Sequence, residues 1–152
     1  MGWSWSHRSA LRAAGVAFLG LGLACATAAR AQTPTTNQLI EAACDSNVAN
    51  VEYKQCLLEF AAKVDRDLNA LWPRVLASIE SSTHLSKSQR ADWKASLTTA
   101  QRHWILFKEA DCREPVGYEW YGGSGMGGAV SICFAKHTLD RTQEVRDRYL
   151  DR

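Results

Sequence analysis

The stretch Tyr53–Ile79, YKQCLLEFAAKVDRDLNALWPRVLASI, decides the fold. Along it Cys56, Phe60, Val64, Leu68, Leu71, Val75 and Ile79 step by three and four, while Glu59, Lys63 and Asp67 step by four on another face. A strand needs alternation by two, whereas an amphipathic helix needs this mixture of threes and fours, so a long helix is predicted. Pro73 lacks the amide that would bond to the Asn69 carbonyl and restricts Trp72, which predicts a kink at that point. Downstream, the polar run Glu80–Ser88 ends this helix, and Ser86 with Gln89 three residues later forms a capping-box start for the next. Trp93, Leu97, Ala100, Trp104 and Phe107 trace that second helix, expected to end near Cys112, before Pro115. A third amphipathic stretch runs from about Ala129, with Ile132, Ala135, Leu139, Thr142, Val145 and Tyr149 inward and Glu144 paired to Arg148 outward. Upstream, Gln32–Asn37 reads as a disordered lead-in and Gln38–Ala43 as one short helical turn. No segment reads as a strand. The expected fold is therefore all-α: a small antiparallel three-helix bundle with a disulfide-tethered Gly-rich loop.

The ends of the chain set its compartment. Arg8 and Arg12 stand in an acid-free start, Ala13–Ala29 is apolar, and Ala29 and Ala31 form an A-x-A site. This is the pattern of a signal peptide over residues 1–31, cleaved before Gln32, with residues 32–152 as a single domain. The competing reading, a membrane anchor, needs an apolar run of about 20 residues and no small-residue exit, so no membrane span is expected after cleavage. Gly22 stands where a lipobox has an aliphatic residue, which argues against a lipid on Cys25. The full chain counts 18 Lys and Arg against 16 Asp and Glu, and loss of Arg8, Arg12 and Arg30 leaves a net charge of −1. That offers no field to gather phosphates, so nucleic acid is excluded as a partner. Cys44, Cys56, Cys112 and Cys133 remain, an even set that an oxidising compartment turns into two bridges. Of the three connectivities, Cys44 with Cys56 and Cys112 with Cys133 closes the shortest loops, each bridge contributing about 3 kcal/mol. No C-x-x-C occurs and His84, His103 and His137 make no H-x-x-x-H, so no metal site is expected.

Arg113–Gly128 departs from helix logic, with PVGYEWY over 115–121 followed by GGSGMGG over 122–128. Gly123, Gly125 and Gly128 match a dinucleotide fingerprint in letters, but a helix precedes them where that site needs a strand. No Lys follows the glycines as a phosphate loop requires, and Met126 stands where a nucleophile elbow needs glycine. No cofactor is expected and the chain does not read as an enzyme. What remains is a tethered loop carrying Tyr118, Trp120 and Tyr121, rings that give large contact area at small entropic cost, flanked by Glu114 and Glu119. It reads as a recognition loop; the competing reading folds the rings back over the core. Asp111 with Glu114, and Asp65 with Asp67, make weak catalytic dyads, and the latter two point in different helical directions. His103, at a face boundary, and His137, placed toward solvent, read as structural.

The order of these features carries a resemblance: Cys44, Cys56, Val64-Asp65-Arg66-Asp67-Leu68-Asn69, Ala100-Gln101-Arg102-His103-Trp104, Cys112, a Gly-Gly-Ser loop, Cys133 and Arg141-Thr142. It resembles the lysozyme inhibitor LprI-like N-terminal domain family, small exported bacterial helical proteins, over Cys44 to about Leu150. On that pattern Asp65, Leu68 and Asn69 match the first-helix signature, and Gln101, Trp104 and Cys112 the second. The resemblance implies a periplasmic or secreted domain and a protein partner such as lysozyme or another envelope hydrolase. Lysozymes are basic, so Asp111, Glu114 and Glu119 are the acids expected to meet one. The expectation is a binding module that occludes a protein cleft. The alternatives are a glycan-active or peptidoglycan-processing enzyme using Glu114 or Glu119, and a structural envelope protein.

Overall fold

The structure, a computed structural model, describes residues 33–151, so the expected signal peptide and Cys25 lie outside them. The described residues form a helical bundle with four helices rather than three: α1 (Thr36–Ala43), α2 (Asn50–Glu80), α3 (Lys87–Glu119) and α4 (Met126–Tyr149). The additional helix is the segment read as a lead-in and a single turn. Thr35 caps it by accepting from the Gln38 amide, and the Gln38 side chain accepts in return from the Thr35 amide at 2.8 Å. Burial of Ile40 and the Cys44–Cys56 disulfide hold it to the bundle. Eight residues would be marginal as a free helix, so these anchors decide its existence.

α2 is one helix through Pro73, and it buries Leu57, Val64, Leu68, Leu71, Val75 and Ile79. The stripe is the expected one except that Leu57 goes deeper than the half-buried Cys56 and Phe60. α3 opens on the predicted Ser86/Gln89 capping box. The connection before it is fastened by Arg90, whose guanidinium donates to the carbonyls of Leu85 (2.6 Å) and Ser82 (3.4 Å). Lys94 and Arg90 both pair with Glu80.

The second expected helix end does not hold. α3 passes Cys112 and Pro115 and continues to Glu119, and α4 begins at Met126. Pro115 removes only one backbone bond and sits exposed near the helix end, while the Cys112–Cys133 bridge, with α-carbons 5.5 Å apart, holds that turn against α4. The large loop shrinks to the six residues 120–125.

The inward face of α3 is also turned by one position. Ala100 and Phe107 are exposed, and Gln101 and Lys108 are buried in their place together with Leu97 and Cys112. On α4 the polar residues Thr138 and Arg141 are likewise buried. These positions form a polar layer. The Lys108 ammonium lies 2.8 Å from Asp65 Oδ1 and 3.3 Å from the Thr138 hydroxyl, and stands 4.9 Å from the centre of the Trp104 ring. Arg141 donates to Gln101 (2.9 Å) and to Glu144 (2.6 Å), and Asn69 donates to Asp65 at 3.0 Å. Two apolar clusters accompany it. One gathers Leu68, Leu71, Val75, Ile79, Leu97, Val145 and Tyr149. The other gathers Ile40, Cys44, Leu57, Val64 and Ala135. On α4 the buried Thr138 and Arg141 come between Ala135 of one cluster and Val145 of the other.

Candidate functional site

Where α3 turns back into α4, the chain needs two unusual backbone positions. Tyr121 has φ 47° and Gly122 φ 70°, both in the left-handed region, which glycine adopts freely and tyrosine does not. The turn is closed by the amides of Tyr121 onto the Tyr118 carbonyl (3.1 Å) and of Gly123 onto the Trp120 carbonyl (2.8 Å). Lys54 on α2 donates to the Ser124 carbonyl at 3.2 Å, tying the turn to the bundle. Trp120 lays its indole against Gly125 so closely that a β-carbon there would come within 2.2 Å of the ring. The outcome is a fixed tip with exposed rings: Tyr118 is 78% exposed, Trp120 48% and Tyr121 96%. None of the three joins either apolar cluster.

Two hollows flank the tip. A groove of about 880 Å³ is lined by Tyr53, Lys54 and Leu57 of α2, Asp111, Val116 and Glu119 of α3, Trp120, and Ile132, Lys136 and His137 of α4, among others. A second hollow, lined by Arg113, Glu114, Gly117, Tyr118, Tyr121 and Gly122, lies on the opposite face of the end of α3. Glu119 and Glu114 thus line different hollows, one on each side of the tip. Trp120 faces the groove, and the two tyrosines face the other way.

His137 does not face solvent as expected. Its Nε2 lies 2.8 Å from Asp111 Oδ2 in the groove wall, and the Phe107 ring packs T-shaped against its imidazole with centroids 5.4 Å apart. Asp111 therefore pairs with a histidine and not with Glu114, and Asp65 pairs with Lys108 and Asn69, not with Asp67, which holds Lys63. Sequence spacing hid the Asp111–His137 pair because its members are on different helices. Bonding of Cys112 to Cys133 brings them together, since Asp111 precedes one cysteine and His137 follows the other by one helical turn. Ligand atoms of Asp111, Cys112, Cys133 and His137 lie within 4.8 Å of one another, and this is the one such group among the described residues. Neither this group nor the acids of the tip includes a nucleophile placed against a base.

Apart from Cys112, the residues that match the family signature are elsewhere. Asp65, Asn69, Gln101 and Trp104 belong to the polar layer, and Leu68 to the neighbouring apolar cluster. Nearby, partial burial pushes the Glu144 carboxyl up, but hydrogen bonds and charge from Arg141 and Arg148 outweigh it and hold the group below its ordinary range.

An uncharacterized protein of Rhizobium meliloti (strain 1021) is 31% identical over 140 residues, covering 90% of this chain and 95% of the relative. No solved structure matches the chain. Among the described residues no helix is long and apolar enough to cross a membrane. The family described as Lysozyme inhibitor LprI matches residues 41–145, from within α1 to near the end of α4, and the chain belongs to that family.

Proposed function

We propose that this protein is an exported binding module that inhibits lysozyme or a related envelope hydrolase by pressing the α3–α4 tip into the enzyme's cleft. In this reading residues 1–31 are removed, the mature chain begins at Gln32, and the domain acts in the periplasm or outside the cell. The family description names an inhibitor, and a catalytic role is not part of it. The observation that carries the reading is the tip itself, with Tyr118, Trp120 and Tyr121 exposed on a turn held by a disulfide, a lysine and a close indole–glycine contact. Aromatic anchors dominate interface energetics, and a turn already fixed loses little freedom on binding. A tyrosine held at positive φ is a strained position of the kind that gathers at binding sites. Glu114 and Glu119, one on each side of the rings, supply negative charge toward a basic enzyme.

Inhibition of purified lysozyme by the full chain tests this. Trp120→Ala is expected to weaken inhibition by about 2 kcal/mol or more, roughly thirtyfold, with an unchanged far-UV circular dichroism spectrum. Absence of inhibition by the unmodified protein overturns the reading. Hydrolysis of cell-wall glycan that is lost in Glu114→Gln or Glu119→Gln would move the protein to the enzyme class.

A further inference from the structure

The Cys112–Cys133 bridge has company that the Cys44–Cys56 bridge lacks. A carboxylate oxygen of Asp111 and an imidazole nitrogen of His137 stand beside its two sulfurs, all four donor atoms within 4.8 Å. Cys133 and His137 lie one turn apart on α4, Asp111 and Cys112 adjoin on α3, and the cysteine α-carbons are 5.5 Å apart. A tetrahedral zinc site with Zn–S near 2.3 Å and Zn–N or Zn–O near 2.0 Å needs donors roughly 3.3–3.8 Å from one another. The four donor atoms, all within 4.8 Å of one another, reach that spacing by small side-chain movements once the sulfurs part. What keeps it from being such a shell is the bond between its sulfurs.

We propose that reduction of the Cys112–Cys133 disulfide converts this cluster into a zinc(II) site with Asp111, Cys112, Cys133 and His137 as its four ligands. The same turn of α3 is then fastened to α4 by a covalent bond in the oxidised chain and by a metal in the reduced one. The reductant is a dithiol: it gives two electrons and two protons to the bridge, becomes a disulfide itself, and leaves two thiols. Zinc binding then releases those two protons as the sulfurs coordinate as thiolates, with no change in the oxidation state of the metal. Three features of the surroundings suit a metal. Cys112 is fully buried and His137 half-buried, so the ion would sit largely out of water. The Phe107 ring, packed T-shaped against the imidazole, restricts its orientation. The groove lined by Asp111, Cys133 and His137 gives an ion a path in. Around the other bridge, the Asp45 carboxylate is occupied by the amide and side chain of Asn47. The inference is independent of the inhibitor reading.

The test uses the full chain, reduced with a phosphine and titrated with Co²⁺ as a spectroscopic probe, then with Zn²⁺. The expected result is thiolate-to-cobalt charge-transfer absorption with tetrahedral ligand-field bands, saturating at one ion per chain, bleached by Zn²⁺ and absent from the oxidised protein. His137→Ala and Asp111→Asn keep both cysteines, and each is checked for an unchanged circular dichroism spectrum when oxidised. Each is expected to weaken Co²⁺ binding more than about tenfold, since even loss of a partner outside the ligand shell commonly costs that much. The Cys44→Ser/Cys56→Ser double variant is expected to keep the signal. Absence of the charge-transfer band from the reduced protein overturns the proposal. So does a band of equal strength in the oxidised protein, one unaffected by His137→Ala, or one lost with Cys44 and Cys56.

Discussion

Removing the Asp65 carboxylate is expected to destabilise the bundle far more than removing the charge it faces. The Lys108 side chain is only 6% exposed, whereas that of Asp65 is 47% exposed, so the pair has a dry end and a wet end. Deleting one partner of a fully buried pair costs about 3–5 kcal/mol, and an exposed pair is worth about 1 kcal/mol or less. In Asp65→Ala the ammonium stays buried, with the Thr138 hydroxyl at 3.3 Å and the Trp104 face at 4.9 Å as its remaining partners. The expected loss falls between those limits, at about 2–3 kcal/mol. Lys108→Met instead removes the buried charge and keeps the volume, and leaves a carboxylate that reaches water and holds Asn69, so the change should stay within about 1 kcal/mol. The double variant should recover most of what Asp65→Ala loses. Urea unfolding followed by far-UV circular dichroism, with an unchanged slope and a shifted midpoint, reads all three values. If Lys108→Met is as damaging as Asp65→Ala, or if Asp65→Ala lies within about 0.5 kcal/mol of the parent, the assignment of Lys108 as a buried, carboxylate-dependent charge is wrong.

Other expectations follow from the same geometry. The Glu144 carboxyl is held below the ordinary glutamate range, so its stabilisation is complete above that range and disappears as pH falls through the lower folded value. Glu144→Gln should therefore flatten the loss of stability on acidification, and a parallel decline in variant and parent would contradict this. Gly125→Ala would push a β-carbon to 2.2 Å from the Trp120 ring, so the indole must move. Inhibition should then fall as it does for Trp120→Ala with helix content kept, and an inhibitor of parental strength would show that the indole position is immaterial. In Cys44→Ser/Cys56→Ser, amide exchange is expected to accelerate throughout α1 while α2 to α4 remain protected; a protected α1 would mean that Ile40 and the Thr35 cap suffice.

The long helices were legible because their inward faces are apolar where the chain has most to bury. Leu68, Leu71, Val75 and Ile79 on α2 show this, as does the Ser86/Gln89 start of α3. The phase of α3 was not legible. Apolar periodicity places Ala100 and Phe107 inward and says nothing of Gln101 and Lys108, whereas long polar side chains can go inside when another helix brings them an acid, an arginine or a ring. The partners that make this affordable, Asp65, Thr138 and Arg141, lie far away in sequence. Pro115 misled in the same manner, because a proline's local cost is small against a bridge formed across helices. The rings of the tip were visible as residue types, but their exposure depends on the left-handed turn at Tyr121 and Gly122 and on the bare α-carbon of Gly125.

Apart from the Gly-Gly-Ser loop, most residues by which the chain resembles its family fasten its interior, so the resemblance speaks more of the fold than of a target. Asp65, Gln101 and Trp104 lie in the polar layer, while the exposed rings of the tip lie between Cys112 and Cys133, beyond the staple that closes that segment. Residues 113–132 form a cartridge bounded by two cysteines that contributes no member of the polar layer, although Gly128 and Ile132 at its end pack against the bundle. Transplanting that cartridge between relatives should carry the choice of target with it and leave the recipient bundle standing. If the tip is the contact surface proposed above, two proteins with the same signature need not share a target, and the comparison that bears on target choice is between their tips.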